Sequence, residues 1–236
     1  MPDLTLHHLQ VGQGERIIWL LEELSLPYTL TLYQRDPILS PPSLKALHPI
    51  GASPVLEDAT FTPDAPLLLA ESGAIAEYLV HKHGNGRLAL PPSHPNYADY
   101  LYWFHFANAT LQPSVVRRLT IRTTLPDPTP DAPQIKAVNQ RLDNTLRYFD
   151  KRVTENTWLA GADFTIADIM TLMTFTAMRK FEPFDLSDYP GILAWLRRCT
   201  DRPAYRTALS KGDPELDIED LITASGPSRF VPAVKK

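Results

Sequence analysis

The spacing of apolar and polar positions changes along the chain, and each spacing predicts an element. Leu4-Thr5-Leu6 alternates and predicts a strand. Over residues 13–24, Ile17, Leu20, Leu21 and Leu24 recur on one helical face, and Ser25-Leu26-Pro27 ends that helix. Residues 28–33 predict a second strand, 34–42 a loop and 43–47 a short helix. His48-Pro49-Ile50-Gly51 is turn chemistry, with proline fixing φ and glycine tolerating a positive one. Val55-Leu56-Glu57 and Leu67-Leu68-Leu69 predict two more strands. Glu71-Ser72 opens a helix that buries Ile75, Tyr78 and Leu79. The order βαβ, helix, ββα predicts an α/β domain with a small mixed sheet over residues 1–84.

Residues 85–95 are a linker, because glycine ends the preceding helix and Pro91-Pro92 blocks both helix and strand. Beyond it the pattern is helical, predicting an all-α domain over residues 96–211. A long aromatic helix covers 96–120, with Tyr97, Tyr100, Leu101, Phe104, Asn108 and Leu111 near one face. Residues 125–133 (LPDPTPDAP) break it, and 134–153 form a second helix with Ile135, Val138, Leu142 and Phe149 inward. A third begins at 164–168, where Thr165 with Asp168 makes a capping box. Residues 189–200 and 203–209 predict two more helices. Residues 212–236 read as a tail, with a short helix possible at 218–223.

Two features of the first domain carry chemistry. Pro54 has no N–H to give a ladder, so it belongs at a strand's first residue; if Ser53-Pro54 is cis, the Val55 backbone is open to pair with an extended peptide. At Glu71-Ser72, a helix start favours a bound carboxylate, and the Glu71 carboxylate suits an ammonium beside it. Together these would grip an α-amino acid head group. Taken alone, the Glu71-Ser72 pair reads more simply as an ordinary N-cap serine.

The segments GASPVL and ESGAIAEYL, at this separation, resemble the glutathione transferases, and residues 1–211 can be laid on that family without a large gap. The closest likeness is to its fungal and bacterial branch. The resemblance implies a thioredoxin-like N-terminal domain followed by an all-helical C-terminal domain. It implies glutathione as co-substrate, held by Ser53, Pro54 and Val55 at its cysteinyl backbone and by Glu71 and Ser72 at its γ-glutamyl end. His48 or Lys45 would meet the glycyl carboxylate, while Ala52 stands where many relatives carry Lys or Gln. The implied activity is conjugation of the glutathione thiolate to a hydrophobic electrophile, in detoxification or secondary metabolism, by a homodimer.

One departure from the family is plain. Residues 6–24, where the family places a hydroxyl or a cysteine at the sulfur, contain no Ser, Thr, Tyr or Cys. Without that cysteine no mixed disulfide with glutathione forms there. Gly12 and Gly14 let backbone N–H groups come close, and the amides of Gln10 or Gln13 can face the sulfur, or simply be solvated. The alternatives are a glutathione-dependent isomerase, lyase or peroxidase, or a binding scaffold that has lost the chemistry. A second substrate is expected between the domains, against Tyr102 and Phe106, which share a helical face; such spacing also suits plain core residues.

Composition narrows this further. A net charge of -4 disfavours nucleic acid as the partner, and no apolar run is long enough to span a membrane, so a cytoplasmic protein is expected. One cysteine, Cys199, excludes an internal disulfide. No metal is expected, since His7 and His8 are strand neighbours facing opposite ways and His81-Lys82-His83 suits a helix C-terminus.

Overall fold

The computed structural model describes residues 3–126 and 129–231; part of the predicted breaker (127–128) and the end of the predicted tail (232–236) lie outside the described residues. In chain order, the first elements are β1 (Leu4–Leu9), α1 (Gly14–Leu24), β2 (Thr29–Tyr33), α2 (Pro42–Lys45), β3 (Val55–Asp58), β4 (Leu67–Ala70) and α3 (Ser72–Tyr78). The strands form one sheet in the order β2-β1-β3-β4. β1 runs parallel to β2, and β3 is antiparallel to both β1 and β4. This is the predicted mixed sheet of a thioredoxin-like domain.

Helices follow: α4 (Tyr97–Phe106), α5 (Gln112–Thr124), α6 (Pro133–Glu155), α7 (Ile166–Phe175), α8 (Pro190–Thr200), α9 (Pro203–Gly212) and α10 (Ile218–Leu221). The long aromatic helix of the sequence reading is thus α4 and α5, joined by a π-helical turn at Ala107–Leu111. Pro113 accounts for it, having no N–H to give the carbonyl four residues back. Next to it, the Ser114 Oγ donates to the Thr110 carbonyl at 2.6 Å.

The chain forms two compact units. Among the described residues, the first takes the chain up to Ala89 together with Thr200–Asp217 and residues 230–231; the second takes Leu90–Cys199 with Ile218–Arg229. The helix α9, read from sequence as part of the helical domain, therefore lies in the first unit, against α1. Trp19 meets Tyr205 edge to face at 5.1 Å, and Arg202 forks onto both carboxylate oxygens of Glu23 at 2.6 and 2.7 Å. That second cover explains why α1 is buried nearly all round, Glu15 and Arg16 included, though its sequence shows a single apolar face.

In the second unit the core runs through Phe149, Phe175 and Trp195, all fully buried. The expected capping box is present: Thr165 Oγ1 accepts from Ala167 N at 3.2 Å and Asp168 accepts from Thr165 N at 3.2 Å. Arg118 and Arg122 bracket the buried Glu182 at 2.8 and 3.2 Å. Cys199 is buried.

Candidate functional site

The sheet register brings three distant segments of the first unit together. Val55 is in register with His7 on one side and Ala70 on the other. Continuing the register one or two residues carries Ser53-Pro54 alongside Leu9 on β1 and alongside Glu71-Ser72 at the start of α3. A direct contact fixes the first approach, since Leu9 N donates to Ser53 Oγ at 3.0 Å.

The Ser53-Pro54 peptide is cis; so is Asp36-Pro37, which the sequence does not signal. Val55 itself is fully buried, with ladder partners on both sides, so its N–H and C=O are committed to the sheet and are not the open pair expected from the sequence. The open peptide groups lie just before the proline: the Ser53 N–H and C=O have no partner among the described residues.

At the start of α3, Glu71 has φ 72°, a positive value that costs a non-glycine residue on the order of 1–3 kcal/mol and is found where structure serves a site. Its side chain is exposed and without a partner among the described residues. Ser72 is buried, and its Oγ donates to Gln13 Oε1 at 3.2 Å while accepting from Arg16 Nη1 at 3.2 Å. Arg16 also donates to Gln13 Oε1, at 2.9 Å. Burial lowers the Arg16 pKa to about 10, with Glu15 opposing, so the guanidinium stays charged at neutral pH.

The two glutamines separate. Gln13 has its carbonyl oxygen occupied by Arg16 and Ser72, which turns its NH2 away from them, without an acceptor among the described residues. Gln10 spends its NH2 on Glu215 Oε1, 2.5 Å away. Directly after Gln13, Gly14 is obligatory, because a Cβ there would sit 2.2 Å from His8 Nδ1. The N–H groups of Gly12, Gln13 and Gly14 have no acceptor among the described residues. Together with the dipole of α1 they form a positive cradle for an anion.

His7 and His8 do face opposite ways. His7 Nδ1 lies 3.0 Å from the Tyr33 hydroxyl, and burial lowers its pKa, with Glu57 opposing. His8 is fully buried, 2.9 Å from Asp213 Oδ2. His83 is held by Asp58 at 2.7 Å, a partner beyond the helix dipole expected for it. His48 is half-buried, and its Nδ1 accepts from Ile50 N at 3.4 Å inside the turn that Gly51 closes with φ 65°.

The two aromatic residues expected at a second substrate lie in the second unit and divide. Phe106 is 5% exposed, packed at 4.8 Å from Trp103, so it is core. Tyr102 is 49% exposed and lines a cavity of about 520 Å³ with Asp99, Trp103, Tyr148 and Arg152.

The comparisons agree with this architecture. Profiles described as Glutathione S-transferase, N-terminal domain and Glutathione S-transferase, C-terminal domain match residues 13–82 and 114–203. The chain is 32% identical to Glutathione S-transferase 3 of Schizosaccharomyces pombe, over 88% of this chain and 87% of that protein. It is 27% identical to Glutathione S-transferase 1 of Saccharomyces cerevisiae, over 89% and 96%. A glutathione S-transferase structure from Actinobacillus pleuropneumoniae superposes with a TM-score of 0.78 at 28% identity, over 93% of this chain and 99% of that one. The chain belongs to the glutathione S-transferase family. It is an enzyme of that fold, and no helix among its described residues is long and apolar enough to cross a membrane.

Proposed function

We propose that the protein binds glutathione in its first unit, lowers the pKa of the thiol, and directs the thiolate onto a hydrophobic electrophile. The observation that carries this is the convergence of open peptide groups at Ser53 with the Glu71-Ser72 helix start and the N–H groups of Gly12 to Gly14. Ser53 would take the cysteinyl backbone as an added strand. Ser72 and the α3 N-terminus would take the γ-glutamyl carboxylate, and the exposed Glu71 its ammonium. Structures of the same fold from Pseudomonas fluorescens and Burkholderia graminis, each 24% identical to this chain, hold two glutathione molecules.

The sulfur then reaches the start of α1, where no side-chain hydroxyl of residues 6–24 meets it. Backbone N–H groups, the dipole of α1 and the NH2 of Gln13 stabilise the thiolate; Gln10, paired to Glu215, is left out of that role. The thiol proton passes to solvent, the sulfur forms the new C–S bond, and the electrophile's leaving group departs or its double bond takes the electron pair. The protein contributes orientation and preorganised electrostatics. We place it in the cytoplasm as a two-fold homodimer. Calorimetric titration of glutathione into the purified protein tests the reading: saturable binding, weakened in Glu71→Ala, is expected, and absence of binding contradicts it.

A further inference from the structure

Val11 has φ 50° and is fully buried. A β-branched residue has no preference for that left-handed backbone and relaxes from it unless its surroundings prevent this. Two charged side chains hold the peptides on either side. The Val11 N–H donates to Asp213 Oδ1 at 2.7 Å, and the Val11 C=O accepts from Arg35 Nη2 at 2.9 Å. Arg35 also donates from Nε to the Gln10 carbonyl at 2.9 Å and from Nη1 to that of Ile38 at 2.7 Å. Asp213 is itself buried, its second oxygen 2.9 Å from His8 Nε2. Burial works against the charge of Arg35, and nearby Asp213 supports it. These are charge-assisted bonds, roughly twice as strong as neutral ones.

We propose that Asp213 and Arg35 are positioning residues for the reaction, clamping Val11 left-handed so that the N–H groups of Gly12, Gln13 and Gly14 point at the glutathione sulfur. This rests on the glutathione reading above. Neither residue touches the sulfur. Asp213 comes from the end of α9 and Arg35 from the loop after β2, so the thiolate-binding turn takes its shape from two segments outside it. Since Ser53, Glu71 and Ser72 grip the rest of glutathione and only the Ser72–Gln13 bond ties them to this turn, loss of the clamp falls more on thiolate formation and turnover than on affinity.

The test is the ionisation midpoint of glutathione bound to each variant, followed by ultraviolet thiolate absorbance, with kcat and KM measured on an aryl halide. Asp213→Ala is expected to move the midpoint back toward that of free thiol and to lower kcat by about tenfold, the equivalent of one pKa unit, with KM for glutathione nearly unchanged. Asp213→Asn retains Oδ1 for the Val11 N–H and is expected to retain most of the wild-type midpoint. Adding Val11→Gly to Asp213→Ala is expected to recover much of the loss, because glycine adopts a positive φ without a clamp. A merely structural docking role for Asp213 gives no such recovery, and its absence overturns the proposal. If Asp213→Ala does not fold, Arg35→Met probes the same turn from its other side, and a wild-type midpoint there overturns the proposal equally. A wild-type protein with an unshifted thiol instead removes the reading beneath it.

Discussion

The hydroxyl of Ser72, first residue of α3, donates to the amide oxygen of Gln13, last residue before α1, at 3.2 Å. One bond thus couples the helix start proposed for the glutamyl end of glutathione to the turn proposed for its sulfur, and it decides which end of the Gln13 amide is available. Gln13→Ala is therefore expected to raise the bound thiol's pKa by up to about one unit and to weaken binding modestly, through Ser72. Gln10→Ala, which removes only the partner of Glu215, leaves both near wild type. Equal effects of the two substitutions in the same titration contradict this division.

Glu71→Ala removes the carboxylate offered to the ammonium. Because that side chain is exposed, its contribution is screened, and a loss of about 1–2 kcal/mol is expected, roughly tenfold in Kd by calorimetry. An unchanged Kd displaces the glutamyl end from this helix start.

Two buried aspartates give the stability of the protein opposite pH dependences. Burial pushes the Asp58 carboxyl up, but hydrogen bonds from Thr60, Tyr78 and His83 outweigh it and hold the pKa below the ordinary value. Its stabilisation is present above that ordinary value and is lost as pH falls through the lowered one. Asp168 is the reverse: burial raises its pKa to about 6 against bonds from Trp195, Leu159 and Thr165. Its contribution is largest below the ordinary carboxylate value and is lost as pH rises through about 6. In denaturant titrations, Asp58→Asn is expected to cost about 2 kcal/mol or more at neutral pH and progressively less in acid. Asp168→Ala is expected to destabilise at every pH and to remove a slope between about pH 4 and 6. Parallel pH profiles for wild type and variants contradict both assignments.

A homodimer is expected to sediment near twice the 26.5 kDa of one chain at micromolar concentration, and a mass near 26.5 kDa counts against it.

Much of the fold was legible because its signals are local. Alternation marks β1, helical spacing marks α1 and α6, and Thr165 with Asp168 announces the start of α7. The segments proposed to hold glutathione stand out for the same reason, since GASPVL and ESGAIAEYL are each a contiguous stretch of the chain. What stayed hidden depends on partners far away in the chain. The Val55 backbone looks open until β1 and β4 are placed on either side of it, which moves the open groups to Ser53. Gln10 and Gln13 are indistinguishable until Glu215 and Ser72 are brought to them. Phe106 and Tyr102 share a helical face and both meet Trp103, but Phe106 also stacks on the fully buried Phe149 while Tyr102 stays half exposed. A valine at φ 50° gives no sequence signal, because the cause of that conformation is Asp213, about two hundred residues on.

The central claim is that backbone N–H groups and one amide, with no hydroxyl or cysteine in residues 6–24, ionise the bound thiol. A half-charge helix dipole plus one amide donor is worth ~1–2 kcal/mol, or about one pKa unit. Ultraviolet titration of the thiolate in the binary complex with the wild-type protein tests it most directly. The account predicts a midpoint near ~7 to 8, below the ~8.5 of a free thiol. A midpoint equal to that of free glutathione, with glutathione bound, contradicts it.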